Sequence, residues 1–295
     1  MNRVLQPLAF RHATAWPYLA GTALIVALSL WLLAWAPEQA SGAMAGWRGG
    51  ALCALATALG ALPVLVVRGL PQRLADGLLG FGAGVMLAAT AFSLVLPGLN
   101  AARDVGFDAW GAAAVISGGV LMGALALLAL DRVLVDDPRD AQHPGAPLVP
   151  ARVLVFVFAI MLHNVPEGMA VGVAAGGHLA GAEGLAMGIA LQDVPEGLVV
   201  ALILAGAGMV RAKAVFIGAF SGVVEPVAAV FSAWAVTVSA LLLPWGLAFA
   251  AGAMLTAVAH SVIPESNRNG HGGYATLGLA FGFCLMMTLD TALGG

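Results

Sequence analysis

The chain is 295 residues long, 61% hydrophobic and 9% charged, with a formal net charge of −3. Ordinary soluble domains carry roughly 25% charged residues, so this composition excludes a water-soluble globule and implies an all-α polytopic membrane protein. A negative balance without any basic cluster also excludes nucleic acid as a partner.

Residues 1–16 are short and carry Arg3, Arg11 and His12. The first apolar run, 17–36, is long enough to span and lacks a clear small-residue cleavage site, which favours a retained helix over a signal peptide. Further runs follow at 43–67, 74–99, 108–130, 151–176, 180–208, 212–239, 241–264 and 273–293, making nine candidate helices. The 39 glycines imply interfaces of small residues, which let helices approach closely in lipid. Alternate loops on one side receive Arg3, Arg11, Arg68, Arg73, Arg132, Arg139, Arg152, Arg211, Lys213 and Arg268. The other side receives only Arg48 and Arg103. Basic loops stay in the cytoplasm, so the N-terminus is expected inside and the C-terminus outside.

The longest loop, 131–150, holds Asp131, Asp136, Asp137, Asp140, His143 and three prolines, and reads as a polar, poorly ordered cytoplasmic linker. No G-x-x-x-x-G-K-[ST] phosphate loop occurs, so ATP is not expected as a partner. Cys53 and Cys284 lie in apolar runs and read as buried helix residues rather than a disulfide or a metal pair.

Two hexads stand out within this apolar background. His163-Asn164-Val165-Pro166-Glu167-Gly168 is matched 29 positions later by Gln192-Asp193-Val194-Pro195-Glu196-Gly197. An acidic residue near the centre of a spanning helix costs roughly 2.5–3.5 kcal/mol even on insertion scales, so two such stretches ask for a reason. At ~100° per residue, His163 and Glu167 lie on one face, and Asn164 flanks the same glutamate on its other side. Gln192, Asp193 and Glu196 repeat the arrangement.

If the helices face each other, His163, Gln192, Glu167 and Glu196 can hold one metal ion. Asn164, Asp193 and the same two glutamates can hold a second, with Glu167 and Glu196 bridging. The helix prolines remove hydrogen bonds to the carbonyls of Leu162 and Leu191, and broken backbone at membrane depth is tolerated where it lines a cavity. A carboxylate-rich, thiolate-free set suits Zn²⁺, Cd²⁺, Fe²⁺ or Mn²⁺ rather than Cu⁺. Glu225, before Pro226, is the best third-helix ligand, on the metal that uses Asn164 and Asp193.

Other polar residues leave alternatives open. His260 and Glu265, flanking Pro264, are either an ordinary polar helix end or a release site for an ion. Asp290 is either an interfacial cap or an entrance residue, and Asp76 favours its helix dipole. Met86, Ser93 and Asn100 share a face by their sevenfold spacing; the methionine is packing or the lining of an ion path. His178 and Glu183, between the hexad helices, read as solvated.

The pair H-N-V-P-E-G and Q-D-V-P-E-G, followed by S-G-V-V-E-P, resembles the ZIP (Zrt/Irt-like) family of divalent-metal transporters, most nearly its bacterial branch. The similarity covers about 43–293, an eight-helix core of three, two and three helices with the outer triplets as inverted repeats. Residues 1–42 would then be a tail and an additional N-terminal span, and 43–295 the transporter core. The resemblance implies a binuclear site, with His163, Glu167, Gln192 and Glu196 on one ion and Asn164, Glu167, Asp193, Glu196 and Glu225 on the other. It also implies elevator-like alternating access within a homodimer, and places Met86 near the metal pathway.

Two departures are visible. Gln192 stands where many members carry histidine, and the 131–150 loop has only His143 where many are histidine-rich. The expected function is import of Zn²⁺, with Cd²⁺, Fe²⁺ or Mn²⁺ as alternatives, across a bacterial inner membrane. The ion is cargo, about two per protomer, and no catalytic cofactor is expected. An inside-negative potential favours entry of a divalent ion by roughly 4.6 kcal/mol per 100 mV. The alternatives are an intramembrane binuclear metallohydrolase and a proton-coupled exporter.

Overall fold

The computed structural model describes residues 15–35, 42–67, 69–135, 151–206, 208–239 and 241–293. The N-terminal tail and most of the 131–150 loop lie outside them. The helices in chain order are α1 (Trp16–Trp35), α2 (Gly42–Ala61), α3 (Gln72–Ala88), α4 (Leu96–Asp104), α5 (Ala109–Val135) and α6 (Ala151–Gly176). They are followed by α7 (Ala182–Gly206), α8 (Arg211–Ser221), α9 (Val224–Val238), α10 (Leu242–Ala257), α11 (Ile263–Asn267) and α12 (Gly272–Leu293). No strand occurs among the described residues, and seven segments are long and apolar enough to cross a membrane by length and composition. Leu277, Phe281, Leu121 and Leu125 stand more than 60% exposed on α12 and α5, as lipid-facing side chains do.

Three expected spans are not single α-helices. The π segment Ala89–Val95 joins α3 to α4, and a second, Val258–Val262, joins α10 to α11. Each precedes a proline, Pro97 or Pro264, whose missing N–H and ring bulk disfavour the regular ladder one turn back. An extra residue in that turn shifts the register, so the sevenfold spacing does not make one stripe: Met86 and Ser93 are buried while Asn100 is exposed. The run expected at 212–239 breaks at Gly222–Val223 into α8 and α9, leaving Glu225 in the first turn of α9. The hexad helices, by contrast, run on through Pro166 and Pro195.

The most extensive pairings are α3 with α12, α2 with α7, α6 with α9, α5 with α10 and α2 with α9. Glycine makes them possible. Gly168, Gly172 and Gly176 recur every fourth residue on α6 and lie against Glu225, Ala229 and Ala233 of α9. A Cβ at Gly172 would strike the Ala229 carbonyl and the Ser232 hydroxyl. Gly60 of α2 likewise lies under the Val194 carbonyl, and Gly197 of α7 under that of Thr57, so backbone touches backbone beside the second hexad.

These contacts expose an internal repeat. Phe81, Ala83, Gly84, Met86, Leu87, Ala89, Ala91 and Ser93 recur 168 positions later as Phe249, Ala251, Gly252, Met254, Leu255, Ala257, Ala259 and Ser261. Gly84 packs on α12 and Gly252 on α5, so the repeated segment seats a repeated crossing.

Overpacking a close crossing costs about 1–3 kcal/mol. Gly172→Val is therefore expected to lower the thermal midpoint of the detergent-solubilised protein, whereas Gly273→Ala, with nothing within 4 Å of its added Cβ, leaves it unchanged. Equal midpoints for the two variants would contradict this account of the interface.

Candidate metal site

The hexads of α6 and α7 meet the start of α9 in the protein interior. Asn164, Glu167, Gln192, Asp193 and Glu225 are each at most 1% exposed, and Glu196 is half-buried. Gln192 donates from Nε2 to Glu167 Oε1, tying α7 to α6. Asn164 Nδ2 lies 3.3 Å from Glu225 Oε1 and 3.2 Å from the carbonyl of Ser221. The Ser221 carbonyl is available because of the break before α9. The amide of Glu225, which would have bonded to it in an unbroken helix, bonds instead to the Gly222 carbonyl at 3.1 Å. Asn164 therefore caps the break that brings Glu225 inward.

The cluster holds more acceptors than the protein satisfies. Among the described residues, every buried side-chain N or O atom without a hydrogen-bond partner belongs to Asn164, Glu167, Gln192, Asp193, Glu196 or Glu225, and all are oxygens. Native structures leave few such atoms, because each costs roughly 1–3 kcal/mol and more when charged. One oxygen each from Glu167, Asp193 and Glu196 lie within 4.8 Å of one another. At an effective dielectric of about 20, two carboxylates this close repel by about 3 kcal/mol or more when both are ionised. The ion pairs among the described residues, Arg268–Glu265 and His271–Asp76, involve none of these carboxylates. Oxygens gathered in this way can hold a hard or borderline divalent ion.

A cavity of about 70 Å³ reaches the cluster from one side, lined by Met86, Gln192, Glu196, Ser261 and Glu265 among others. It links the second hexad to Ser261, Val262 and Glu265 near the end of the α10–α11 rod.

Residues 136–290 match the family described as ZIP zinc transporter. The chain is 48% identical over 248 residues to the zinc transporter ZIPB of Bordetella bronchiseptica, covering 83% of this chain and 80% of that protein. The chain belongs to the ZIP zinc transporter family. It is also 42% identical to the zinc transporter GufA of Myxococcus xanthus (82% of this chain, 96% of that protein) and 34% identical to human zinc transporter ZIP11 (81% and 94%).

In this ZIP chain six of the seven expected ligands converge; the side chain of His163 lies outside those described. Asp193 is shared by two acidic groups, Glu167–Asp193–Glu196 and Cys53–Asp193–Glu225. Helix-face arithmetic expected Glu167 and Glu196 to bridge the two ions, and both lie in the first of these groups beside Asp193. Met86 and Glu265 line the cavity, whereas His260 is exposed and is not among the lining residues. Ser93 donates to Asp290 Oδ1 at 2.6 Å, joining the α3–α4 rod to α12. Asp76 lies beyond the first turn of α3 and so does not serve the helix dipole as expected; it is fully buried, accepts from Gln72 and Asn269 at 3.0 Å, and meets His271 Nδ1 at 2.9 Å. His178 and Glu183 are exposed, as expected of solvated residues.

The sequence reading missed two residues of α2. The Thr57 hydroxyl lies 3.3 Å from Glu225 Oε1, and Cys53 is fully buried beside Asp193 and Glu225. The signal was a small-residue stripe at helical spacing, Gly46, Gly50, Cys53, Thr57 and Gly60, which marks a face against which other helices close.

Removing one carboxylate should relieve the repulsion and weaken metal binding together. Asp193→Asn is expected to raise the thermal midpoint in chelator while lowering the rise produced by added Zn²⁺. A lower midpoint in chelator with an undiminished Zn²⁺ response would contradict the electrostatic reading.

Proposed function

We propose that this chain imports divalent transition-metal ions, Zn²⁺ foremost with Cd²⁺, Fe²⁺ and Mn²⁺ as alternatives, across the bacterial inner membrane into the cytoplasm. The observation that carries the reading is the set of buried, unpartnered oxygens on Asn164, Glu167, Gln192, Asp193, Glu196 and Glu225, reached by a cavity extending to Glu265. Two ions per chain fit the two acidic groups that meet at Asp193. His163, Gln192, Glu167 and Glu196 serve one ion; Asn164, Asp193 and Glu225 serve the other, with Glu167 and Glu196 bridging the two. Met86 and Glu265 lie on the path toward the cytoplasm, and Ser93 with Asp290 sits toward the opposite end.

The repeated segment 81–93 and 249–261 supports inverted triplets of helices around the two hexad helices, since the second and seventh spans of an eight-helix core run in opposite directions. Such a core, residues 43–295, supports an elevator-like movement of the site against a scaffold, within a homodimer. Residues 1–42 add a tail and α1, with the N-terminus cytoplasmic and the C-terminus periplasmic, as the distribution of arginine and lysine favours.

The test is flux into proteoliposomes enclosing a zinc-sensitive dye. Wild type is expected to give saturable Zn²⁺ entry down an inward gradient, and Glu167→Ala to lower the initial rate more than about tenfold, as loss of a metal-site group does. No flux in wild type overturns the reading. Transport that runs outward and follows an imposed pH gradient would replace it with a proton-coupled exporter.

A further inference from the structure

Cys53 brings a sulfur into a cluster whose other described ligand atoms are oxygens. Its Sγ, one oxygen of Asp193 and one of Glu225 lie within 4.8 Å of one another. At tetrahedral angles a zinc-sized ion holds a sulfur and an oxygen ligand about 3.6 Å apart, so side-chain movements of about 1 Å or less bring the three atoms onto one ion. The surrounding donors point the same way. Neither carboxylate oxygen of Asp193 has a hydrogen-bond partner, nor has Glu225 Oε2, and both residues are fully buried. Asn164, whose amide nitrogen approaches Glu225, adds a further unpartnered oxygen on the same amide group. The thiol's own hydrogen-bond partner, the Ala186 carbonyl at 3.7 Å, is a weak one.

We propose that Cys53 ligates the metal ion held by Asp193 and Glu225, making that position a mixed sulfur–oxygen site. The proposal rests on the reading of the cluster as a divalent-metal site and names its chemistry further. A thiolate is a soft ligand, so this position takes Cd²⁺ and Zn²⁺ in preference to Mn²⁺. The ligand is the thiolate, so the thiol proton is released as the ion binds. The two positions thus differ in kind: the group formed by Glu167, Asp193 and Glu196 offers carboxylate oxygen, while the group containing Cys53 adds a thiol sulfur.

The chain has two cysteines, and Cys284 is exposed, so a Cys284→Ser protein keeps Cys53 as its single thiol. This full-length variant, purified in detergent, is titrated with Cd²⁺ while the ultraviolet sulfur-to-cadmium charge-transfer absorption is recorded. The expected result is a band that saturates at one Cd²⁺ per chain. The further change Cys53→Ser should abolish the band and lower Cd²⁺ affinity by about tenfold or more, with a smaller loss for Mn²⁺. Cd²⁺ binding to the Cys284→Ser protein without the band overturns the ligand assignment and leaves the importer reading standing. Absence of any Cd²⁺ or Zn²⁺ binding overturns both. The band is read on a protein that retains Cys53, so the result does not depend on the Cys53→Ser variant folding.

Discussion

Four carboxylates, Glu167, Asp193, Glu196 and Glu225, are gathered in one interior, and most of their oxygens have no partner in the protein. Everything around them is arranged to keep them there. Two of the elements that hold them are irregular: the break at Gly222–Val223 and the asparagine that takes the carbonyl it frees. Neither would persist in a helix bundle selected for stability alone, where an apolar core would serve better. A divalent cation reverses the sign of the electrostatics, so the cluster is costly to assemble and specific in what it accepts.

The close helix crossings are the other half of that arrangement. The α6–α9 contact places the Gly168 backbone against Glu225, and the α2–α7 contact sets Thr57 and Val194 on opposing glycines. Close contact brings short side chains such as Asn164, Cys53 and Asp193 within reach of one another, which larger residues at the crossings would prevent. The cavity from Glu196 to Glu265 runs along the repeated segment, past Met86 and Ser261. α7 forms one wall and the two rods carrying π turns form the others, so the ladder is least regular beside the cavity.

Much of this was legible in the residues. Helix arithmetic on the two hexads brought Asn164, Glu167, Gln192, Asp193 and Glu196 to one place, because ligands one turn apart on a polar stripe in an apolar helix have few other destinations. Glu225 followed from its cost in the same surroundings. The break before it did not, because S-G-V-V-E-P reads as one apolar run until its carbonyls are traced to their acceptors. Cys53 was passed over because a lone cysteine in an apolar helix is indistinguishable from packing until the facing helix is known. The π turns escaped for a similar reason: hydropathy records the length of a run and not its register.

The most direct test of the central claim, that these oxygens exist to bind cations, is to count ions by native mass spectrometry of the detergent-released protein titrated with Zn²⁺. Two ions per wild-type chain are expected, and no more than one weakly held ion after Asp193→Ala, which removes the residue common to both groups. Two ions retained by Asp193→Ala, or none in the wild type, would contradict the account.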